Sequence, residues 1–90
     1  MAKVQFTSLL QRFFPDLKPE EVEAANVKEL LSKLDKIYTG LSTYLVEENG
    51  GLRKHVNIFV NGVMIKDRIH LSDKIGSNDT INIIQALSGG

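Results

Sequence analysis

Apolar and polar residues alternate at the start of the chain. Val4 and Phe6 are interleaved with Lys3, Gln5 and Thr7, the period-two signature of a half-buried strand. Leu9 to Phe14 is apolar-rich and stops at Pro15-Asp16, a turn signal; Phe13-Phe14 is expected to close one end of the core. Pro19 to Ala24 reads as a second strand with Val22 and Ala24 facing inward, although Glu20, Glu21 and Glu23 are poor strand formers. From Val27 the period changes to that of a helix. Val27, Leu30, Leu31, Leu34, Ile37 and Tyr38 fall on one face, and Lys28, Lys33, Asp35 and Lys36 on the other. Asn26 is a good N-cap with Glu29 three residues on, as a capping box requires, and Gly40 ends the run.

Leu41 to Val46 is apolar without a clear period and reads as a short turn of helix; Glu47 to Gly51 is a loop. From His55 to Lys66, two apolar runs flank Asn61-Gly62, a pair suited to a two-residue type I′ hairpin. That turn pairs Val60 with Val63, Phe59 with Met64 and Ile58 with Ile65. Val56, Ile58, Val60, Val63 and Ile65 then share the buried face, while Phe59 and Met64 look outward. A last strand, Thr80 to Ala86, follows the turn residues Gly76-Ser77-Asn78-Asp79. It buries Ile81 and Ile83 and turns Asn82 and Ile84 outward. Strand, strand, helix, hairpin and strand make an α+β sandwich, one mixed sheet packed on one main helix.

Composition narrows the function classes. Ninety residues make one domain with a modest core. Eleven basic residues balance eleven acidic ones, so no global field draws the chain to nucleic acid or an anionic membrane. Without cysteine there is no disulfide, thiolate metal site or thiol nucleophile. Met1 to Phe6 opens a strand rather than a signal peptide, and no apolar run approaches a membrane span; the expected location is the cytoplasm. His55 and His70 lack partners at metal-ligand spacing and read as surface or edge histidines. Arg53-Lys54-His55 with Lys66 and Arg68 forms a basic strip, either simply solvated or a contact for an acidic partner. No P-loop, dinucleotide fingerprint or nucleophile elbow is present.

The sequence ends in Ser88-Gly89-Gly90. Glycines carry no Cβ and can thread a slot too narrow for other residues. Together with Val60-Asn61-Gly62, Leu71-Ser72-Asp73 and the run from Asn78 to Gly90, this end resembles the ubiquitin-like sulfur carriers: the thiamine-pathway carrier, the small subunit of molybdopterin synthase and the cysteine-pathway carrier. The specific match covers residues 54 to 90. Asn78 stands where the family often has glycine; asparagine also tolerates a left-handed turn. Gln85 stands where proline is common and is expected to loosen the strand's exit.

The resemblance implies a ubiquitin-like β-grasp domain over residues 1–86 and a flexible tail over 87–90. It implies that a ubiquitin-activator-like adenylyltransferase uses ATP to adenylate the Gly90 carboxylate. A sulfur donor then displaces AMP, and the resulting thiocarboxylate passes sulfur to a biosynthetic enzyme. The carrier itself binds no cofactor or metal and contributes no catalytic residue, acting as a substrate or as the small non-catalytic subunit of a synthase. Gly89 and Ser88 give access; Phe59, Met64, Ile84 and Leu87 dock the partners. The stretch from Leu52 to Asn61 looks most like the cysteine-pathway carrier, with molybdopterin and thiamine routes as the other choices. A protein modifier joined to lysines through Gly90 uses the same first step.

Overall fold

Five strands form one mixed sheet in the order β2-β1-β5-β3-β4. They are β1 (Ala2–Phe6), β2 (Glu20–Val22), β3 (Val56–Val60), β4 (Val63–Met64) and β5 (Thr80–Gln85). Among the described residues there are also three short or medium helices: α1 (Ser8–Gln11), α2 (Val27–Ile37) and α3 (Leu41–Leu45). This computed structural model describes residues 1–85. The expected strand end at Ala86, the 87–90 tail, and the sites at Leu87, Ser88, Gly89 and Gly90 therefore lie outside the described residues.

β1 runs parallel to β5 and antiparallel to β2, and β5 runs antiparallel to β3. The first and last strands in chain order are thus neighbours, and β5 is paired on both sides. The inward residues Val4, Val56, Ile58, Ile81 and Ile83 meet Val27, Leu30, Leu31 and Leu34 of α2 in one buried cluster. The expected α+β architecture with one main helix is present.

The start of α2 is fully satisfied, which explains why it begins where it does. Asn26 Oδ1 accepts the Glu29 amide at 2.8 Å, while the Val27 and Lys28 amides donate to the carbonyls of Asp73 and Leu71, both at 3.0 Å. The Glu29 carboxylate reaches back to the Ala25 amide at 3.0 Å, one residue earlier than a capping box requires. At the far end, Gly40 adopts φ 95°, a conformation favoured by glycine. Asp35 Oδ1 then accepts the amides of Gly40 and Ser42 at 3.2 and 3.0 Å and starts α3.

Several sequence expectations need correction. Ile37 is exposed, because α2 ends there, while the C-cap residue Tyr38 packs against the core as expected. Val63 is 64% exposed rather than buried, since β4 is a two-residue edge strand beyond the helix-covered core. Phe13 is exposed as well; only Phe14 packs against the core, and both rings lie against Tyr44. Among the described residues the non-glycine left-handed positions are Asn61 and Leu71, not Asn78. Gln85 itself stays in β5 opposite Val56, and the strand's exit beyond it lies outside the described residues. The connection from β1 to its antiparallel neighbour β2 carries α1, where the sequence shows only an apolar-rich stretch.

Candidate functional site: the outer sheet face and the root of the C-terminal segment

The Asn61-Gly62 turn has φ of 52° and 83°, the two positive values that a type I′ hairpin requires. It fixes the register in which Phe59 faces Met64 and Val60 faces Val63. The Ile65 amide donates to the Ile58 carbonyl at 3.0 Å, so the expected contact of these residues is present just past the end of β4.

Across the other edge of β3, Phe59 is opposite Asn82 and Asn57 is opposite Ile84. Cross-strand partners share a face, so Phe59, Met64 and Ile84 lie together on the side of the sheet away from α2. Met64 is exposed, while Phe59 and Ile84 are half-buried. Asn57 and Asn82 sit among them, and Arg68 Nη1 donates to Asn57 Oδ1 at 2.9 Å. The result is a small apolar patch with amide groups interleaved, a composition compatible with reversible protein contact.

Two polar knots brace this face. Asn61 Nδ2 donates to Asp79 Oδ1 at 2.8 Å, and Asn61 Oδ1 accepts the Thr80 amide at 2.9 Å. The Asp79 carboxylate also accepts the Gly76 amide at 2.6 Å. These bonds, the Gly76 amide first, hold the Asp79 carboxyl below its ordinary value. They tie the hairpin tip to the turn that launches β5. In the second knot, Asp67 accepts the amides of Ile69, His70 and Ser72 and the Ser72 hydroxyl. Led by the His70 amide, these donors lower its carboxyl to about 2. Asp73 accepts the Lys66 and Asp67 amides, so the 66–73 loop is held by its own carboxylates. The resemblance pointed to Val60-Asn61-Gly62 and Leu71-Ser72-Asp73; the bonds that join such distant turns carry no local sequence signal.

A third tie connects helix to sheet. The Tyr38 hydroxyl donates to the Glu20 carboxylate and accepts the Lys18 amide at 3.3 Å. Burial, with this carboxylate beside it, raises the phenol above its ordinary value.

Of the two histidines, His70 is exposed, with Nδ1 4.0 Å from Asp67 Oδ1, and His55 is half-buried. Among the described residues no group of three His, Cys, Asp or Glu side chains is placed to hold a metal. No helix among them is long and apolar enough to cross a membrane. The basic strip is partly absorbed by structure: Arg53 Nε and Nη2 donate to the Thr43 carbonyl at 3.3 and 3.0 Å, and Arg68 Nη2 donates to the Arg53 carbonyl at 2.8 Å. A cleft of about 560 Å³ opens beside it, lined by Phe14, Tyr44, Arg53, Lys54, His55 and Gln85 among others.

A mixed five-strand sheet wrapped on one main helix, with its last strand in the centre, defines a ubiquitin-like β-grasp protein. The model of the ThiS family matches residues 4–90. The chain therefore belongs to the ThiS family, the ubiquitin-like sulfur carriers. Among solved structures, it is similar to a chain of the BexX/CysO complex of Amycolatopsis orientalis, at 24% identity and a TM-score of 0.85, with both chains covered in full. CysO of Mycobacterium tuberculosis superposes at 0.82 with 24% identity, over 97% of this chain and 100% of that one. The small archaeal modifier protein 1 of Methanosarcina acetivorans superposes at 0.78 with 23% identity, over 99% and 95%. At these identities the likenesses speak to fold. No curated protein matches the sequence.

Proposed function

We propose that the chain is a sulfur carrier whose reacting group is the carboxylate of Gly90. The observation that carries this reading is the family match, which extends to residue 90 and so includes Gly89-Gly90. A carboxylate is a poor acyl donor. Attack of a Gly90 oxygen on the α-phosphorus of ATP releases pyrophosphate and leaves an acyl-adenylate, whose AMP is a good leaving group. A hydrosulfide equivalent from the sulfur donor then adds at the acyl carbon, AMP departs, and a thiocarboxylate remains. Splitting one hard substitution into two is the usual gain from an activated acyl intermediate.

The partners in this reading are a ubiquitin-activator-like adenylyltransferase, a sulfur donor and a sulfur-accepting biosynthetic enzyme of the cysteine type. The chain is a substrate for the first and contributes no catalytic group. ATP belongs to the activating enzyme. Phe59, Met64 and Ile84, with Leu87, form the docking face, and Ser88 and Gly89 let the end enter a narrow channel. Gln85 is five residues from Gly90, so the carboxylate reaches at most about 17 Å beyond the sheet. A partner must hold the domain close to its own active site.

The test is an intact mass of the protein purified from its native host. The expected result is a fraction carrying one oxygen-for-sulfur exchange, lost when Gly89-Gly90 is deleted. Gly90 found joined instead to lysines of other proteins favours conjugation, the second reading, for which the likeness to an archaeal modifier protein speaks. Neither form appearing, with the deletion silent in the host, overturns both.

A further inference from the structure

The geometry points to a second contact surface, separate from the Phe59/Met64/Ile84 face: the cleft at the root of the C-terminal segment takes an acidic segment of the adenylating partner. The inference rests on the carrier reading for the identity of that partner, but its chemistry is read from the cleft itself.

The cleft lies between α3 and the start of β3, and Gln85 borders it. Val56, another lining residue, belongs to the helix-covered side of β3. The docking face occupies the opposite side of the same strand, so the two surfaces flank the point where the chain leaves β5.

Three features fix what the cleft accepts. Arg53 and Lys54 are exposed and His55 is half-buried; Glu47 is the one acidic residue among the described lining residues. A small lobe of positive charge thus sits on a chain with no net charge. Arg53 is also pre-oriented. Two of the five guanidinium donors hold the Thr43 carbonyl, which leaves the others for a carboxylate at little further entropic cost. Finally, Phe14 and Tyr44 supply an apolar wall. Gln85 closes the cleft on the side of β5. Charge and wall together fit an extended peptide bearing carboxylates.

Reach separates this surface from nucleotide binding. With up to about 17 Å between Gln85 and the reacting carboxylate, an extended segment carries the ATP phosphates away from Arg53 and Lys54. Those charges are then left to the protein wall around the channel mouth. Gripping both sides of the exit would aim the segment as well as hold it.

The decisive experiment is an amide NMR titration of the full chain at low salt with a capped peptide of four glutamates around one tryptophan. Shifts are expected at residues 53–56 and 85, and they should vanish in Lys54→Glu and in Arg53→Glu/Lys54→Glu. The single variant serves as a check on folding, because Lys54 makes no side-chain hydrogen bond among the described residues. Absence of shifts, or equal shifts around Lys28, Lys33 and Lys36 on α2, overturns the cleft. In pyrophosphate exchange with the adenylyltransferase of the source organism, the double variant should raise the KM for the carrier about tenfold with kcat unchanged. An unchanged KM overturns the assignment to that partner. A wild-type chain that is never adenylated overturns the carrier function instead, while the titration still decides the cleft.

Discussion

The two faces of β3 and β5 carry similar side chains and have opposite fates. On the inner face Val56, Ile58, Ile81 and Ile83 are at most 1% exposed. On the outer face Phe59 and Ile84 are only half-buried, with Asn57 and Asn82 between them. The strands are the same; the covering layer differs. α2 covers the inner face, and no element among the described residues covers the outer one. Apolar content alone therefore does not mark a core. What distinguishes the outer face is that its apolar residues sit one register step from burial and are diluted by amides, which keeps the patch small enough to stay wet.

The sharpest way to break this comparison is to place the same charge on adjacent residues of β5. Ile83→Asp puts an unpaired carboxylate in the core and should cost more than about 4 kcal/mol. That is about a third or more of the stability expected of a 90-residue domain. Ile84→Asp should cost about 1 kcal/mol or less in urea unfolding while abolishing adenylation. Equal destabilisation by both would erase the distinction between the faces. Unchanged adenylation of Ile84→Asp would leave the outer face without its docking role.

A smaller effect tests the rim that joins the faces. Asn61→Ala removes both side-chain bonds to the 79–80 turn and places a Cβ residue without a polar tip at φ 52°. The expected loss is about 1–2 kcal/mol, read as an earlier urea midpoint. Faster hydrogen exchange should be confined to the hairpin tip and the start of β5.

The smallest effect is in the acid range. Asp67 is lowered from 3.8 to about 2 and Asp79 is lowered as well. A carboxyl whose pKa is depressed by folding stabilises the fold above its unfolded value, and that contribution drains as pH falls toward the folded value. Stability should thus decline from about pH 4 toward pH 2. Asp67→Asn should flatten that decline while lowering stability at neutral pH, both followed by urea midpoints across the range.

How much of this was legible in the sequence depends on the distance over which each feature is decided. The Asn61-Gly62 turn, the Asn26 cap and the alternation of Ile81 and Ile83 with Asn82 and Ile84 are local, and they read correctly. Ile37 and Val63 followed the right period yet lie exposed, because periodicity knows the face but not where the opposing layer ends. The α1 stretch was legible only as apolar-rich, and β2 only through Val22 and Ala24. The cleft was beyond reach: it assembles Phe14, Tyr44, Arg53 and Gln85 from four separate stretches of chain. The basic strip hinted at a contact without revealing the aromatic wall beside it. Leu71 in a left-handed conformation, with its carbonyl on the Lys28 amide, is likewise imposed by the docking of a loop on a helix start.

The position of β5 has a consequence for when the molecule becomes usable. β1, β2, α2 and the β3–β4 hairpin all precede it in the chain, yet the sheet has a gap at its centre until β5 slots between β1 and β3. Pairing ends that lie some eighty residues apart in sequence is a slow, late event. Ile84 joins Phe59 only when that insertion is complete. An enzyme that must feel both residues at once is thereby blind to unfinished chains. On the proposed carrier reading, the strand that leads to Gly90 doubles as the molecule's own proof of completion.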